Sequence, residues 1–393
     1  MIKREKYIAQ IREFYDSDLI KIITGIRRCG KSIILGQIHG EIMDKSDNVI
    51  YLDFDDTAVL SAVPDEMSLL KYVDNHRKNS LCYVFLDEVQ RLDGWAGACR
   101  TLRLRNCSVF VSGSNSKLLS REFTKELSGR YVSFRIRPFV YRELSEYGKE
   151  LGRDISLNDY IVWGGFPKRI EFSSESAQRA YLSELNETII LNDIINRYRI
   201  RKVEIFKRLA NFIFLSNGRI LSARSVEKYM KTAGLSCSLT TITKYIGYLE
   251  EAYAIATVKK FSAKSKRELE YYLKVYDEDV ALNSIRVINS RYDLTHNFEN
   301  VVYNELLYMG YSMQVYNDGS HEIDFIACKG GRQYYIQAAY SVAENKAWDR
   351  EFGAFAKMDN SCQKIVITND ENDYSTSTVR HIRFRDFVLM DEL

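Results

Sequence analysis

One eight-residue run constrains this chain more than any other feature: Gly25-Ile26-Arg27-Arg28-Cys29-Gly30-Lys31-Ser32, which has the form GxxxxGKS. Before it stands Leu19-Ile20-Lys21-Ile22-Ile23-Thr24, short and mostly apolar as a buried parallel strand is. After it Ile33-Ile34-Leu35-Gly36-Gln37-Ile38 can continue as a helix. Strand, glycine loop and helix in that order let backbone N–H groups curl around phosphates at the positive end of a helix. Lys31 is placed to reach the β- and γ-phosphates, and the Ser32 hydroxyl to ligate magnesium. Gly25, Arg27, Arg28, Cys29, Gly30, Lys31, Ser32 and Ile33 are the candidate nucleotide-binding residues. The flanking strand and helix separate this run from a chance glycine loop.

A second apolar run, Cys82–Leu86, leads straight into Asp87-Glu88, which puts two carboxylates at a strand's C-terminal end, where ligands of doubly wound sheets bind. Asp87 is expected to hold magnesium, usually through water, and Glu88 to polarise the attacking water. A third run, Ser108–Val111, ends in Ser112-Gly113-Ser114-Asn115-Ser116. There Asn115 is the candidate γ-phosphate sensor, and a plain turn is the other reading. No NKxD-type guanine reader follows, and the arginine-rich pattern of DExx helicases is not evident. A small-molecule kinase fits the carboxylate pair less well than water activation does.

The runs GIRRCGKS, FLDEVQRLDGW, VSGSNSKLL, LSGR and RPFVYREL occur in this order over the first part of the chain. With them the chain resembles the AAA-type ATPases of bacteria and archaea that pair this module with a C-terminal restriction-endonuclease-like domain. The resemblance implies an α/β P-loop core with a helical lid, a winged helix-turn-helix and a C-terminal α/β nuclease-like domain. It implies ATP and Mg2+ as ligands, Asn115 as the sensor, and Arg130 as an arginine finger or nucleotide-sensing arginine. Pairing of Arg130 with a lid carboxylate is the structural alternative. Arg27 and Arg28 receive no chemistry from it, and Trp163-Gly164-Gly165-Phe166-Pro167 matches a turn read as structural. The expected domains are 1–137 (ATPase core), 138–204 (helical lid and connector), 205–283 (winged helix) and 284–393 (nuclease-like).

Charge is unevenly spread. Residues 196–275 hold 17 Lys and Arg against 6 Asp and Glu, inside a chain whose net charge is only +3. Such a block suits a phosphate backbone, and a solvated or protein-docking face is the alternative. Within it, Ile205–Leu215, Ser225–Ala233 and a segment capped by Ser238 read as three helices. Along the third, Leu239, Ile242, Ile246, Leu249 and Tyr253 form the expected buried stripe, with Lys244 outward. Two β-rich runs joined by Ser262–Arg267 complete a winged helix-turn-helix, offering Lys264, Lys266 and Arg267 to phosphates. Glu250 and Glu251 at the helix end count against DNA, and winged helices also dock protein.

Further on, a helix at Phe298-Glu299-Asn300 and strands at Glu322–Ala327 and Tyr334–Tyr340 follow the layout of PD-(D/E)xK nucleases. Glu299 and Asp324 match that family's carboxylates. The ExK position reads Gln337-Ala338-Ala339, which removes one carboxylate and the lysine, so cleavage is not expected and the fold serves as a platform.

The length of 393 residues suits two to four domains, and 3 prolines with 20 glycines exclude collagen-like and low-complexity chains. The apolar runs are far below the roughly 18 residues a membrane span needs, and no signal-peptide core follows Met1. Seven cysteines with no CxxC pair read as thiols in a reducing, cytoplasmic compartment. The expected function is Mg-dependent ATP hydrolysis that alters how the C-terminal parts engage DNA or a protein partner. Two alternatives stand beside it, a slow-turnover ATP switch that docks protein and an ATP-gated nuclease. A homo-oligomer is left open.

Overall fold

Short apolar runs with few polar interruptions build the first sheet: β1 (Ile20–Thr24), β2 (Val49–Asp53), β3 (Cys82–Asp87), β4 (Cys107–Gly113) and β5 (Tyr131–Arg135). In the computed structural model, which describes residues 2–114, 127, 129–259, 273–289, 291–317, 321–359 and 361–393, they run β2-β3-β4-β1-β5. Every neighbouring pair is parallel. β1 and β4 are buried along their whole lengths, which is why their sequences do not alternate. The helix Lys31–Met43 buries Ile34, Leu35, Ile38 and Ile42. The helix Glu66–His76 starts with a capping box in which Asp65 and Ser68 satisfy each other's backbone N–H groups.

The chain divides into two compact units, one of Met1–Pro138 with Glu251–Tyr253, the other of Phe139–Glu250 with Ala254–Leu393. The second unit begins with the helices Tyr141–Glu150, Leu157–Trp163 and Glu175–Thr188. The glycine turn at 164–165 is held by a buried carboxylate far along the chain: Gly165 N–H donates to Asp279 Oδ2 at 2.7 Å. Gly164 has φ +66, and a Cβ there would lie 1.7 Å from Asp279 Oδ1; one on Gly165 would lie 1.8 Å from the Phe139 carbonyl oxygen. Arg169, fully buried, donates twice to the Gly164 carbonyl and pairs with Asp159 at 2.7 Å. Glu305, also buried, accepts from the first-turn N–H of Tyr141 at 2.9 Å and so serves as a distant cap.

Three helices follow, Val203–Phe214, Ala223–Thr232 and Leu239–Glu251, with β6 (Ile220–Leu221), β7 (Ile255–Lys259) and β8 (Leu273–Asp277) in a β6-β8-β7 antiparallel sheet. The third helix buries Ile242, Tyr245, Ile246 and Leu249. The expected stripe is thus shifted, because Leu239 in the first turn is 38% exposed and Tyr245 packs edge-on against Phe206. β9 (Ser312–Asn317), β10 (Glu322–Lys329), β11 (Arg332–Ala339), β12 (Gln363–Thr368) and β13 (Val379–Arg383) form a second five-stranded sheet, order β13-β12-β11-β10-β9. Its β9-β10-β11 side is antiparallel and its β11-β12-β13 side parallel. Among the described residues no helix is long and apolar enough to cross a membrane.

Lys21 is a fully buried cation on β1. Its Nζ donates to Ser108 Oγ at 2.7 Å and the Ser17 carbonyl at 3.0 Å, and lies over the Phe110 ring. Burial pulls its pKa from the ordinary 10.5 to about 7, against the pull of Asp16 and Asp18 in the other direction. Because the folded value lies below the unfolded one, the unfolded chain binds more protons between them, and stability should climb from about pH 7 to about pH 10. Urea unfolding of the wild type and Lys21→Met across that range should show the wild type gaining relative to the variant; a constant difference would refute it.

Candidate functional site

The P-loop closes on itself and on the segment that follows β5. Gly25 has φ +147, and a Cβ there would come within 2.1 Å of the Ile136 carbonyl oxygen, so only glycine fits this crossing. Arg28 adopts φ +66 and is exposed, Arg27 is half-buried, and Gly30 is left-handed just before the helix. Lys31 is buried and donates from Nζ to the Ile26 carbonyl at 3.1 Å, within its own loop. Ser32 and Ile33 are exposed at the helix start. Cys29 lies in the loop but turns its side chain inward, its Sγ 3.3 Å from the Ile136 carbonyl oxygen. Its thiol is thus turned away from the loop's outer face, and only its backbone is left to face a ligand there.

Arg4, to which no motif in the sequence points, pins this loop. It is 2% exposed and donates from Nη1 to the carbonyls of Cys29 at 3.1 Å and Arg137 at 2.9 Å. Gln37 of the P-loop helix donates to the Ile2 carbonyl at 2.8 Å, so the same segment is held on both sides.

Asp87 ends β3, with β4 lying between it and the P-loop strand. The register Leu86↔Val111 and Thr24↔Gly113 brings the tips of β3, β4 and β1 to one edge. Ser112 Oγ donates to Asp87 Oδ1, the Glu88 N–H donates to Ser112 Oγ at 3.2 Å, and Tyr51 OH reaches Asp87 Oδ2 at 3.2 Å. Burial, then the Asp87 charge, pushes the Tyr51 hydroxyl up, which keeps it a donor. Glu88 follows at φ +49, half-buried, with Gln90 Nε2 donating to its Oε2. The donor set suits magnesium. A buried carboxylate whose oxygens already accept hydrogen bonds can still take a water-bridged ion, and the exposed Ser32 hydroxyl is a hard oxygen ligand. Tyr51 and Ser112 were not legible as partners of Asp87, since that depends on which strands lie side by side.

Asn115 lies outside the described residues, as do Lys264, Lys266 and Arg267. Arg130 is exposed just before β5, and its carbonyl accepts from the Ile20 N–H at 2.9 Å. That pairing sets it at the N-terminal edge of the sheet, the length of β1, roughly 15 Å, from its own P-loop.

In the second unit Lys244 is exposed on the third helix, its Nζ over the Tyr248 ring at 5.7 Å. The basic block is partly neutralised: Lys207 pairs with Glu187, Arg208 with Glu204, Arg219 with Asp293 and Lys231 with Glu227. Lys274 is not on the surface at all. From β8 it enters a carboxylate cluster, its Nζ 2.7 Å from Glu299, 2.8 Å from Glu322 and 2.9 Å from Asp324. Tyr276, two residues on and on the same face, donates to Glu299 at 2.5 Å. Burial, then the Asp324 charge, pushes the Glu299 carboxyl upward, while Lys274 and the Tyr276 hydroxyl pull it down. Asp324 sits at a β-bulge in β10, which turns its carboxylate to accept from the Ala338 N–H at 3.0 Å. Gln337 accepts from the Asp324 N–H at 2.7 Å and donates to Glu351 at 2.8 Å. Glu299, Asp324 and Gln337 are thus together, as the nuclease layout expects, but these donors do not suit a divalent ion. The Gln337 oxygen is taken by backbone and an ammonium stands among the carboxylates. Among the described residues no group of three metal-ligating side chains is arranged to hold an ion.

Residues 17–145 match the family model described as an AAA domain, and residues 154–289 match a domain of unknown function. An uncharacterized protein of Haemophilus influenzae is 31% identical over 379 residues, spanning 94% of this chain and 93% of that protein. An uncharacterized protein of Methanocaldococcus jannaschii is 28% identical, over 90% of this chain and 82% of its own. Among solved structures, a Walker-type ATPase of Pyrococcus abyssi aligns with a TM-score of 0.50 at 16% identity, covering 73% of this chain and 96% of that one; the likeness is one of fold.

Removing the Arg4 guanidinium strips buried carbonyls of a charged donor, at a cost of about 1–3 kcal/mol. Arg4→Ala should lower the melting temperature and weaken binding of a fluorescent ATP analogue, whereas Arg4→Lys should recover part of both. Unchanged nucleotide affinity in Arg4→Ala would show that the clamp does not shape the loop.

Proposed function

Because the chain belongs to the AAA-type P-loop ATPase family, we propose that it hydrolyses ATP at the C-terminal edge of the first sheet and couples nucleotide state to nucleic-acid engagement by the second unit. The observation that carries this is the alignment of three strand tips. β1 delivers the phosphate loop, β3 delivers Asp87 and Glu88, and β4 between them delivers the serine that fixes Asp87. On ATP binding Lys31 exchanges its Ile26 carbonyl for phosphate oxygens, and backbone N–H groups from Gly25 to Ile33 cradle the chain of phosphates. Mg2+, held by Ser32 and through water by Asp87, would neutralise phosphate charge. Glu88 orients and polarises the attacking water, with Gln90 holding the carboxylate's other contact. Asn115, two residues after Gly113 in the sequence, is assigned as sensor. Arg130, a strand's length from its own loop, acts on a neighbouring protomer's nucleotide.

The three helices with the β6-β8-β7 sheet support reading 205–283 as a winged helix-turn-helix, and 138–204 as the lid and connector before it. DNA would meet exposed Arg224, Lys228 and Lys244, together with Lys264, Lys266 and Arg267 of the segment between β7 and β8, mostly through phosphates. Residues 284–393 read as a nuclease-like domain that binds or assembles without cleaving. The alternative, a slow ATP switch that docks protein, draws on the ion pairs that remove several bases from the basic face. Turnover measured with and without DNA separates the two: stimulation by DNA supports the proposal, and slow turnover indifferent to DNA supports the switch.

Lys31→Ala should abolish ATP binding, and Glu88→Gln should bind ATP while turnover falls about 10²–10⁴-fold. Undiminished turnover of Glu88→Gln would place the base elsewhere. Arg130→Ala should bind ATP normally and hydrolyse it about 10³-fold more slowly. Mixed with Glu88→Gln, it should regain activity at interfaces where one protomer has the intact Glu88 and the other the arginine. Full activity of Arg130→Ala, or no rescue on mixing, would refute the trans role.

A further inference from the structure

An ammonium has three N–H donors and no acceptor. In the carboxylate cluster of the second unit Lys274 has a separate carboxylate within 3 Å for each donor, Glu299, Glu322 and Asp324, and the lysine is 3% exposed. The lysine comes from β8, a strand of the small β6-β8-β7 sheet, while its partners come from the helix Leu294–Met309 and from β10. We infer that Lys274 is the resident cation of this site, a covalently built-in ammonium standing where a divalent metal would otherwise sit, so that the C-terminal sheet keeps an acidic centre closed to metal.

Three observations point the same way. The ammonium satisfies the cluster at hydrogen-bond distances, so an entering ion would have to expel a lysine held by three partners and meet its repulsion. Gln337, at the position where a third ligand would be expected, spends its oxygen on the Asp324 N–H and its amide on Glu351, and both bonds hold it away from ligation. Tyr276 donates to the Glu299 oxygen that also faces Lys274, so this oxygen already has two donors. The inference stands on this geometry; the nuclease-like reading supplies only the expectation that a metal belongs here. It also gives Lys274 a task other than contacting phosphate: it ties the strand leaving the hairpin to the C-terminal sheet.

The test is Mn2+ uptake by the nucleotide-free full chain, followed through the electron paramagnetic resonance signal of the free ion. The wild type should show no uptake that Asp324→Asn removes, and its melting temperature should not respond to Mn2+ or to a chelator. Lys274→Met keeps the apolar stem but leaves the carboxylates without a cation. It should melt lower than the wild type, gain one Mn2+ site per chain and recover its melting temperature as that site fills. Uptake by the wild type that Asp324→Asn abolishes would overturn the inference. So would a cooperatively folded Lys274→Met that takes up no more Mn2+ than the wild type. Should Lys274→Met fail to fold, the comparison of wild type with Asp324→Asn decides alone.

Discussion

A parallel sheet delivers the C-terminal tips of all its strands to one edge, and the chemistry proposed for the first unit depends on that single constraint. The helix dipole and loop N–H groups after β1 favour anions, whereas Asp87 and Glu88 repel them. With β4 between β1 and β3, the two are separated by two strand spacings, roughly 10 Å. That leaves room for a phosphate, an ion and a water between attraction and repulsion. Were β3 directly beside β1, the carboxylates would crowd the phosphate loop. The same constraint sets Arg130, whose carbonyl pairs with Ile20 at the start of β1, at the edge opposite the phosphate loop.

The two units show different answers to burying a cation. Lys21 has one hydroxyl, one carbonyl and a ring for company, so burial wins and the amine loses affinity for its proton. Lys274 is buried as thoroughly, yet its three carboxylates outweigh desolvation and raise its affinity instead. Arg4 and Arg169 take a third route, spending a fork of donors largely on the backbone carbonyls of loops and turns, with Asp159 beside Arg169. For the two lysines the negative charge placed around the amine, not the depth of burial, decides how firmly the proton is held.

Much of the first unit was readable because P-loop chemistry is local in sequence: strand, loop and helix are contiguous, and Asp87-Glu88 adjoins its strand. Asp87's fixers were not readable, because Ser112 and Tyr51 become neighbours only through lateral strand order. β2, β12 and β13 also went unread. The third helix was placed closely from Ser238 onward, but its buried face was set by Phe206 on another helix, which periodicity cannot see. Lys274 shows the limit most sharply. Counted among 17 bases it looked like one more phosphate contact, and only its partners, 25 or more residues further along, make it an internal counter-ion.

The bonds that close the second unit also order its assembly in time. A ribosome emits the first 138 residues with the whole sheet β2-β3-β4-β1-β5 complete, so that layer can form while the rest is still being made. The next stretch cannot settle in the same way. Its glycine turn waits for Asp279, 114 residues downstream, and its first helix waits for Glu305, 164 residues downstream. Until then the buried groups around Gly164 and Tyr141 are exposed to whatever chaperones or proteases meet the nascent chain. Translational pausing between those points would lengthen that exposure without altering a single residue.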